Sequence, residues 1–255
     1  MKKISKEELK EILELHALWL DTNGEEGIRA NLSNANLRYT NLSNADLRYA
    51  NLSKADLRDA DLSKADLRDA DLRYANLRYT NLSNANLRYT NLSNADLRYA
   101  NLRYTNLSNA DLFNANLRDA DLSNADLFNA NLRDADLRDV KINICTRGYY
   151  LACPEEGSFI GWKKASGCLV KLQILEDSKR SSATSLKCRC DKAKVLDITN
   201  IRTEEQVQEI ASTWNPNFIY KVGEIVTAED FDECRWNECT TGIHFFIHKE
   251  CALNY

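Results

Sequence analysis

Residues 30–54 read ANLSNANLRYTNLSNADLRYANLSK, and the same five-residue pattern continues to Asp139. Each quintet consists of Ala or Thr, then Asn or Asp, then Leu, then two variable residues. Leu recurs without interruption in 22 quintets from Leu32 to Leu137, and residues 140–144 form a degraded twenty-third. A helix repeats its apolar positions about every 3.6 residues and a strand every 2, so a period of five predicts neither element. The repeat instead predicts a coil in which every quintet forms one short extended side and one corner.

The apolar positions of the repeat predict the interior of this coil. Leu, and the small Ala or Thr two residues before it, can face a shared axis while successive coils pair their backbones in parallel. Gly and Pro are absent from residues 30–139, so ordinary residues must form the corners. Each buried Leu contributes roughly 1.5–3 kcal/mol, and each coil is stabilised by its neighbours. We therefore assign the Leu, Ala and Asn or Asp positions to structure and none of them to chemistry.

These quintets resemble the A(D/N)LXX pattern of the pentapeptide-repeat family, and the match covers residues 30–144. The resemblance implies a mainly β fold, namely a right-handed quadrilateral parallel β-helix with four quintets in each coil. It also implies a function to weigh, because some members of the family act as duplex-DNA mimics on type II topoisomerases.

Four quintets per coil would place every fourth quintet on one outer face, and one such face carries an unbroken column of arginines. The column could bind a polyanion, or it could be a neutralised surface. Six aspartates share the face, which favours neutralisation. A DNA mimic needs a continuous acidic surface, whereas residues 30–139 carry 14 basic and 15 acidic side chains. The arginines are Arg38, Arg58, Arg78, Arg98, Arg118 and Arg138, and the aspartates are Asp56, Asp59, Asp96, Asp119, Asp136 and Asp139.

Residues 1–29 predict a helical cap over the first coil, because an open β-helix end would expose unpaired strands. Ser5 with Glu8 is a capping-box pattern, and apolar residues follow at helical spacing, so we expect a helix over residues 5–20. His16 lies on the apolar stripe and is expected to be a packed side chain rather than a ligand. Glutamates interrupt the apolar run of this segment, which predicts no signal peptide and a cytoplasmic protein.

Residues 145–255 differ in composition and predict a small α+β domain. We expect strands over residues 168–175, 193–198 and 243–247, and a helix over residues 203–213. Tyr149–Lys164, the strand from Cys168 and the GIHFF segment resemble the uncharacterised domain that follows pentapeptide repeats in some phage and bacterial proteins. The predicted organisation is therefore a cap (1–29), a β-helix (30–144) and an α+β domain (145–255).

The C-terminal domain contains a local excess of positive charge, with six basic residues against Asp191 alone. Such a cluster could bind a phosphate or an acidic partner, or it could be a solvated face. The domain also holds three tryptophans, including Trp214, and tryptophan is enriched at binding hot spots. We expect it to select the partner while the β-helix acts as a rigid spacer. The candidate partner-binding residues are Lys179, Arg180, Lys187, Arg189, Lys192, Lys194, Trp162 and Trp236.

All eight cysteines lie at or after Cys145, and free thiols are the default interpretation in the cytoplasm. A structural zinc site usually needs two close pairs such as CxxC, and the spacings here match poorly. A cysteine nucleophile would need a neighbouring histidine as its base, and nothing else favours one. We therefore expect no metal and no cofactor. The residues weighed for these sites are Cys188, Cys190, Cys234, Cys239, His244 and His248.

One alternative makes the C-terminal domain an enzyme. Residues 242–246, GIHFF, followed by Asn254-Tyr255, are similar to the GIYFA…SANY segment of the ADP-ribosyltransferase family. The resemblance places His244 where that family has a nicotinamide-stacking Tyr, and Ala252 where it has a Ser. The later strand that carries a catalytic Glu has no counterpart before Tyr255. A packed strand followed by a terminal helix is the simpler interpretation of the segment.

The combined pattern predicts a non-enzymatic protein-binding or scaffold protein, one version of which is a phage-encoded inhibitor of a host protein. The alternatives are a duplex-DNA mimic acting on a type II topoisomerase and an ADP-ribosyltransferase-like enzyme. The net charge of −4 is spread evenly along the chain, so direct nucleic-acid binding is not expected. No apolar run of about 18 residues exists, which predicts no membrane span. The expected partner is another protein.

Overall fold

The computed structural model describes residues 1–143, 145–237 and 240–255, which form two compact units, residues 1–150 and residues 151–255. The first unit begins with β1 (Lys2–Lys3), α1 (Lys6–Asp21) and β2 (Ala35–Asn36). A long series of single-residue parallel bridges then follows. Within the described residues, every helix is too short or too polar to cross a bilayer.

The bridges of the first unit join equivalent positions four quintets apart, from Asn31 with Asn51 to Asp121 with Lys141. Four quintets therefore complete one coil, and the predicted parallel β-helix is confirmed. The last bridge joins Asp126 with Arg147, one position beyond the regular spacing, because the repeat degrades after Asp139. Ile144, the final residue of the degraded quintet, lies outside the described residues.

The quintet Ala50–Lys54 shows how each coil is joined to the next. Asn51 N–H donates to the preceding coil at 3.0 Å, and Leu52 and Lys54 N–H donate to the following coil at 2.7 and 2.8 Å. All three bonds end on backbone carbonyl oxygens. Three of the five backbone donors in the quintet therefore hold the coils together, independently of the outward side chains.

The remaining two donors of that quintet form the corners. Ala50 N–H donates to Leu47 O at 3.0 Å, and Ser53 N–H donates to Asn51 Oδ1 at 3.0 Å. The repeat requires Asn or Asp because this side chain supplies the one acceptor that the backbone lacks. The last residue of each quintet has φ between +54° and +62°, from Asn34 to Asp139. Ordinary residues thus form type II-like corners without glycine, as predicted.

The interior of the β-helix is the predicted column of Leu with small residues beside it. No Leu from Leu32 to Leu132 exposes more than 2% of its surface. Where a buried Thr replaces Ala, at Thr80, Thr90 and Thr105, its hydroxyl bonds to the preceding coil, as Thr80 Oγ1 does to Leu57 O at 2.7 Å. A buried hydroxyl is tolerated because it finds an acceptor.

Helix α1 begins where the capping signal predicted. Ser5 Oγ accepts a hydrogen bond from Glu8 N–H at 3.0 Å, and the helix runs over Lys6–Asp21. The Glu8 carboxylate does not close the capping box, because it pairs with Lys2 Nζ at 2.7 Å. The predicted helix over residues 5–20 is confirmed to within one residue at each end.

Helix α1 packs against the start of the β-helix through its apolar stripe. His16 is completely buried, as predicted, and its Nδ1 accepts a hydrogen bond from Ala30 N–H at 3.1 Å. Gly27 has φ +74°, and a Cβ there would lie 2.3 Å from Leu15 O. Only glycine allows the chain to pass this close to the helix.

The second unit is an arrangement of short sheets with one short helix. Its elements are β3 (Phe159–Ala165), β4 (Cys168–Ile174), β5 (Arg180–Ser182), β6 (Cys188–Cys190), β7 (Lys192–Asn200), β8 (Glu209–Ala211), β9 (Ile219–Lys221), β10 (Ile225–Thr227), β11 (Ile243–Phe245) and α2 (Lys249–Leu253). A four-stranded antiparallel sheet has the order β10-β7-β4-β3, a three-stranded antiparallel sheet has the order β11-β6-β5, and β8 pairs with β9. The predicted strands over 168–175, 193–198 and 243–247 are confirmed as β4, β7 and β11.

The predicted helix over residues 203–213 is wrong. Val207 N–H donates to Ile198 O of β7 at 2.9 Å, and residues 209–211 form β8 against β9. Backbone donors in this segment find partners in neighbouring strands. Tertiary pairing therefore overrides the weak local preference for helix.

Strand β4 lies at the centre of the four-stranded sheet with apolar groups on both faces. Val170 and Leu172 are fully buried in the larger core, which also contains Phe245 of β11. On the opposite face, Leu169 packs with Phe246 beneath α2. The β3 residues that pair with Val170 and Leu172 therefore point toward the larger core.

Candidate functional site

The arginine column of the β-helix is largely neutralised within its own coils. Arg98 donates two hydrogen bonds to Asp96, two residues earlier, at 2.8 and 2.6 Å. Arg138 binds Asp136 in the same way and lowers the pKa of that carboxyl to about 2. These short-range pairs favour the neutralised interpretation over a polyanion track.

The other members of the column alternate with those pairs because Asn replaces Asp in their quintets. Arg118 Nε lies 3.3 Å from Asp119, and Arg38 Nη2 lies 4.0 Å from Asp59. The Arg78 guanidinium lies 5.7 Å from the centre of the Tyr79 ring. The column therefore presents paired or ring-stacked arginines rather than a continuous field of one sign.

Two candidate residues of the C-terminal basic segment are structural. Arg189 is only 1% exposed, and its guanidinium donates to the carbonyl oxygens of Asp232, Thr241 and Cys234 at 2.8–3.0 Å. Lys187 is 7% exposed. Because a Glu at either position would bury a carboxylate, we do not expect the fold to tolerate charge reversal at Arg189 or Lys187.

Three further candidates, Lys179, Arg180 and Trp236, are held by local partners. Arg180 donates to several carbonyl oxygens, including those of Gly157 and Leu175 at 2.7 Å, so it closes a loop. Lys179 pairs with Glu233. Trp236 is half-buried, with the Arg235 guanidinium 4.4 Å from its ring centre. These residues are not brought into a single patch.

Three of the candidates do share a surface, on the side of the four-stranded sheet that faces away from the larger core. Trp162 lies opposite Lys171, and Gln173 lies opposite Lys194. Lys192 is two residues from Lys194 and has the same orientation, since side chains alternate along a strand. Lys192 Nζ pairs with the exposed Asp177 at 2.7 Å. We call these five residues the outer sheet face: Trp162, Lys171, Gln173, Lys192 and Lys194.

A cleft of about 990 Å³ opens elsewhere in the second unit. Its volume is at the upper end of the range for small-molecule sites, roughly 300–1,000 Å³. Positive and aromatic side chains line it, and one of them, Trp214, is 90% exposed. The lining residues used below are Lys163, Lys187, Trp214, Phe218, Tyr220 and His244.

Lys163 occupies an inward position of β3. Its neighbours two residues away, Gly161 and Ala165, are buried, and it lies opposite the fully buried Val170. Its ammonium donates to His244 O at 3.3 Å and lies 5.9 Å from the centre of the Tyr220 ring. Burial, reinforced by the nearby charge of Lys187, lowers the pKa of Lys163 to about 8. We therefore expect an apolar residue at this position to make the folded chain more stable than a positive charge does.

Replacing Lys163 with Met should raise the free energy of unfolding at neutral pH by about 1–3 kcal/mol. The pKa of Lys163 is about 8 in the folded chain and about 10.4 in an unfolded one. Between these two pH values the unfolded chain therefore binds more protons than the folded chain. Below pH 8 both carry the proton, so the folded chain bears the full free-energy cost of the buried charge. Because wild-type Lys163 loses its proton as the pH rises, the gap between the two proteins should shrink. Denaturant melts from about pH 7 to 10 measure it.

Lys171→Met is the matched control for that measurement, because it removes a lysine from the outer sheet face. It should change the free energy of unfolding by no more than about 0.5 kcal/mol. A Lys163→Met protein that is less stable than wild type at neutral pH would contradict the assigned burial.

The structure shows where the residues of the two enzyme alternatives lie, namely the cysteine nucleophile and the ADP-ribosyltransferase-like site, but it gives these alternatives little support. Cys188 and Cys190 are buried thiols, and burial raises the pKa of Cys190, so neither suits a nucleophile. Ala252 is completely buried beneath the sheet and has no hydroxyl to act as the serine of a transferase. His244 does line the cleft.

The zinc site cannot be built from the residues that the structure describes. In residues 1–143, 145–237 and 240–255, no three His, Cys, Asp or Glu side chains are grouped as a metal site requires. Cys239, one of the candidate ligands, lies outside those ranges. The absence of a metal stays a prediction.

The first unit is a solenoid of five-residue repeats. Three stretches of its sequence, residues 28–63, 65–103 and 105–143, each match the family described as pentapeptide repeats (8 copies). The chain belongs to the pentapeptide-repeat protein family. Residues 149–252 match a family of unknown function, DUF5758. No curated protein sequence matches the chain.

Solved structures similar to the chain include three pentapeptide-repeat proteins. Rfr23 from the cyanobacterium Cyanothece 51142 is 30% identical, over 52% of this chain and 97% of Rfr23, with a TM-score of 0.22. A protein of the Arabidopsis thaliana thylakoid lumen is 26% identical, over 48% and 74%, with a TM-score of 0.24. HetL, involved in heterocyst differentiation regulation in Nostoc sp. strain PCC 7120, is 30% identical, over 45% and 77%, with a TM-score of 0.17.

Proposed function

We propose that the protein is a non-enzymatic binding or scaffold protein that acts on another protein in the cytoplasm. In this proposal residues 30–144 wind as a right-handed four-sided β-helix and serve as a rigid spacer, with residues 1–29 capping the first coil. Residues 145–255 select the partner. A phage-encoded inhibitor of a host protein is one form that this function could take.

The observation that carries the proposal is that most polar side chains of the β-helix bond to other groups of the β-helix. Its Asn and Asp side chains bond to their own quintets, and its arginines pair with Asp or stack on Tyr. A repetitive and neutralised surface offers little to distinguish one partner from another. Among the described residues of the β-helix, arginines also interrupt the continuous acidic column that a DNA mimic would need.

The outer sheet face is the part of the second unit best suited to an acidic partner. It places Lys171, Lys192 and Lys194 on the same side of the sheet as Trp162, and the Lys171 ammonium lies 5.6 Å from the centre of that indole. A sheet face that carries lysines and an aromatic side chain suits a protein surface with carboxylates, because the charges steer the encounter and the ring adds contact area.

The double variant Lys192→Glu, Lys194→Glu should weaken capture of the partner from a bacterial lysate by at least about tenfold. Both side chains are only partly buried, so the reversal should leave the fold intact, and a thermal melt checks this. The partner is identified by mass spectrometry on the full-length wild-type protein.

The matched control alters the β-helix with residue types that the repeat itself uses. Arg78→Ser, Tyr79→Asn and Tyr99→Asn together remove a stacked pair of tyrosines whose ring centres lie 4.9 Å apart. This variant should keep the partner. If it loses the partner while the lysine variant keeps it, specificity resides in the β-helix and the assignment is reversed.

A further inference from the structure

Lys163 and Lys187 both line the cleft of the second unit. Lys187 Nζ donates to the Tyr255 hydroxyl at 3.2 Å, and its charge contributes to the lowered pKa of Lys163. Among the ion pairs of the described residues, none includes Lys163, whose contacts are a carbonyl oxygen and a ring face. An ammonium that is largely buried without a carboxylate partner is costly, and an anion bound at Lys163 would offset that cost.

Aromatic side chains also line the cleft, and one of them is highly exposed. Trp214 exposes 90% of its surface, and Phe218 packs edge-on against Tyr220 with ring centres 5.2 Å apart. An indole that is this exposed makes few contacts of its own and is free to stack on a flat ring. Glu229 and Asp230, both exposed, also line the cleft. They oppose further negative charge in the cleft, so we expect the ligand to carry a single anionic group.

We propose that this cleft binds a small organic anion that carries a flat, uncharged ring. The anionic group sits at Lys163, and the ring lies against Trp214 and Phe218. The site is independent of the outer sheet face, so the inference does not rest on the proposed protein partner.

Calorimetric titration of the full-length protein at neutral pH tests the proposal with four probes. Adenosine monophosphate and N-acetyltryptophan combine a ring with a phosphate or a carboxylate, adenosine is a ring without charge, and inorganic phosphate is a charge without a ring. We expect at least one ring-bearing anion to bind about tenfold more tightly than adenosine and than phosphate. The one that binds identifies the source of the anionic group.

Variants test the assigned contacts. Lys163→Met should weaken the bound probe by about tenfold or more, because a charge-assisted hydrogen bond is lost. Trp214→Ser should weaken it severalfold, whereas Lys171→Met, on the outer sheet face, should leave it within about twofold. Circular dichroism confirms that each variant is folded.

Several outcomes would overturn the proposal. Failure of both ring-bearing anions to bind at about 5 mM would do so. So would adenosine or phosphate matching the ring-bearing anions, or Lys163→Met binding as tightly as wild type.

Discussion

Leu77→Asp should unfold the central coils of the β-helix. Leu77 is completely buried on the axis, so the variant loses the burial of an apolar side chain, roughly 1.5–3 kcal/mol, and must dehydrate a carboxylate without a partner. The combined loss should exceed about 5 kcal/mol, comparable to the whole stability of many domains. Hydrogen exchange of peptides from residues 57–97 should lose protection together, because each coil is stabilised by its neighbours.

Tyr79→Asp is the matched control for this variant, since it introduces the same residue two positions away. Position 79 is a left-handed corner with φ +58°, and the repeat already uses Asp at the equivalent Asp59 and Asp119. The control should therefore retain its exchange protection. If Leu77→Asp kept the circular dichroism spectrum and melting temperature of wild type, the Leu column would not be the interior.

Arg189→Leu should destabilise the second unit by about 3–5 kcal/mol. The substitution removes a buried guanidinium and leaves three carbonyl oxygens, those of Asp232, Thr241 and Cys234, without their shared donor. Loss of protection should concentrate in peptides from residues 180–190 and 228–245, and peptides of the β-helix report whether the effect stays within this unit.

Arg202→Leu is the control, because Arg202 is exposed in a turn and the same substitution there removes only a solvated charge. It should change the free energy of unfolding by less than about 0.5 kcal/mol. Equal effects of the two substitutions would show that Arg189 is not the clamp that its contacts indicate.

The β-helix was predictable because each quintet contains its own structural requirements. Leu supplies the interior, Asn or Asp supplies the missing acceptor, and the last residue adopts the left-handed corner. Only the corner geometry needed the structure, because Tyr and Lys rarely adopt φ near +60° and no local signal identifies them as corner residues.

The second unit was only partly predictable because its important contacts join distant segments. Arg189 looks like a surface cation in the sequence, yet its partners lie far along the chain, between Asp232 and Thr241. Lys163 did carry a signal, since it alternates with Gly161 and Ala165 at inward positions of a predictable strand. Recognising it required knowing which face of β3 is buried. That information comes from the pairing with β4.

The spacing of four quintets between bridged positions restricts how a gene for this β-helix can lengthen or shorten. Gain or loss of a single quintet preserves the interior, because Leu still follows Leu, but it shifts every later outward side chain by one side of the coil. Gain or loss of four quintets preserves both the interior and the outward columns. Slippage between the near-identical repeats of such a gene would therefore change surface chemistry in small steps, and would change length alone only in whole coils.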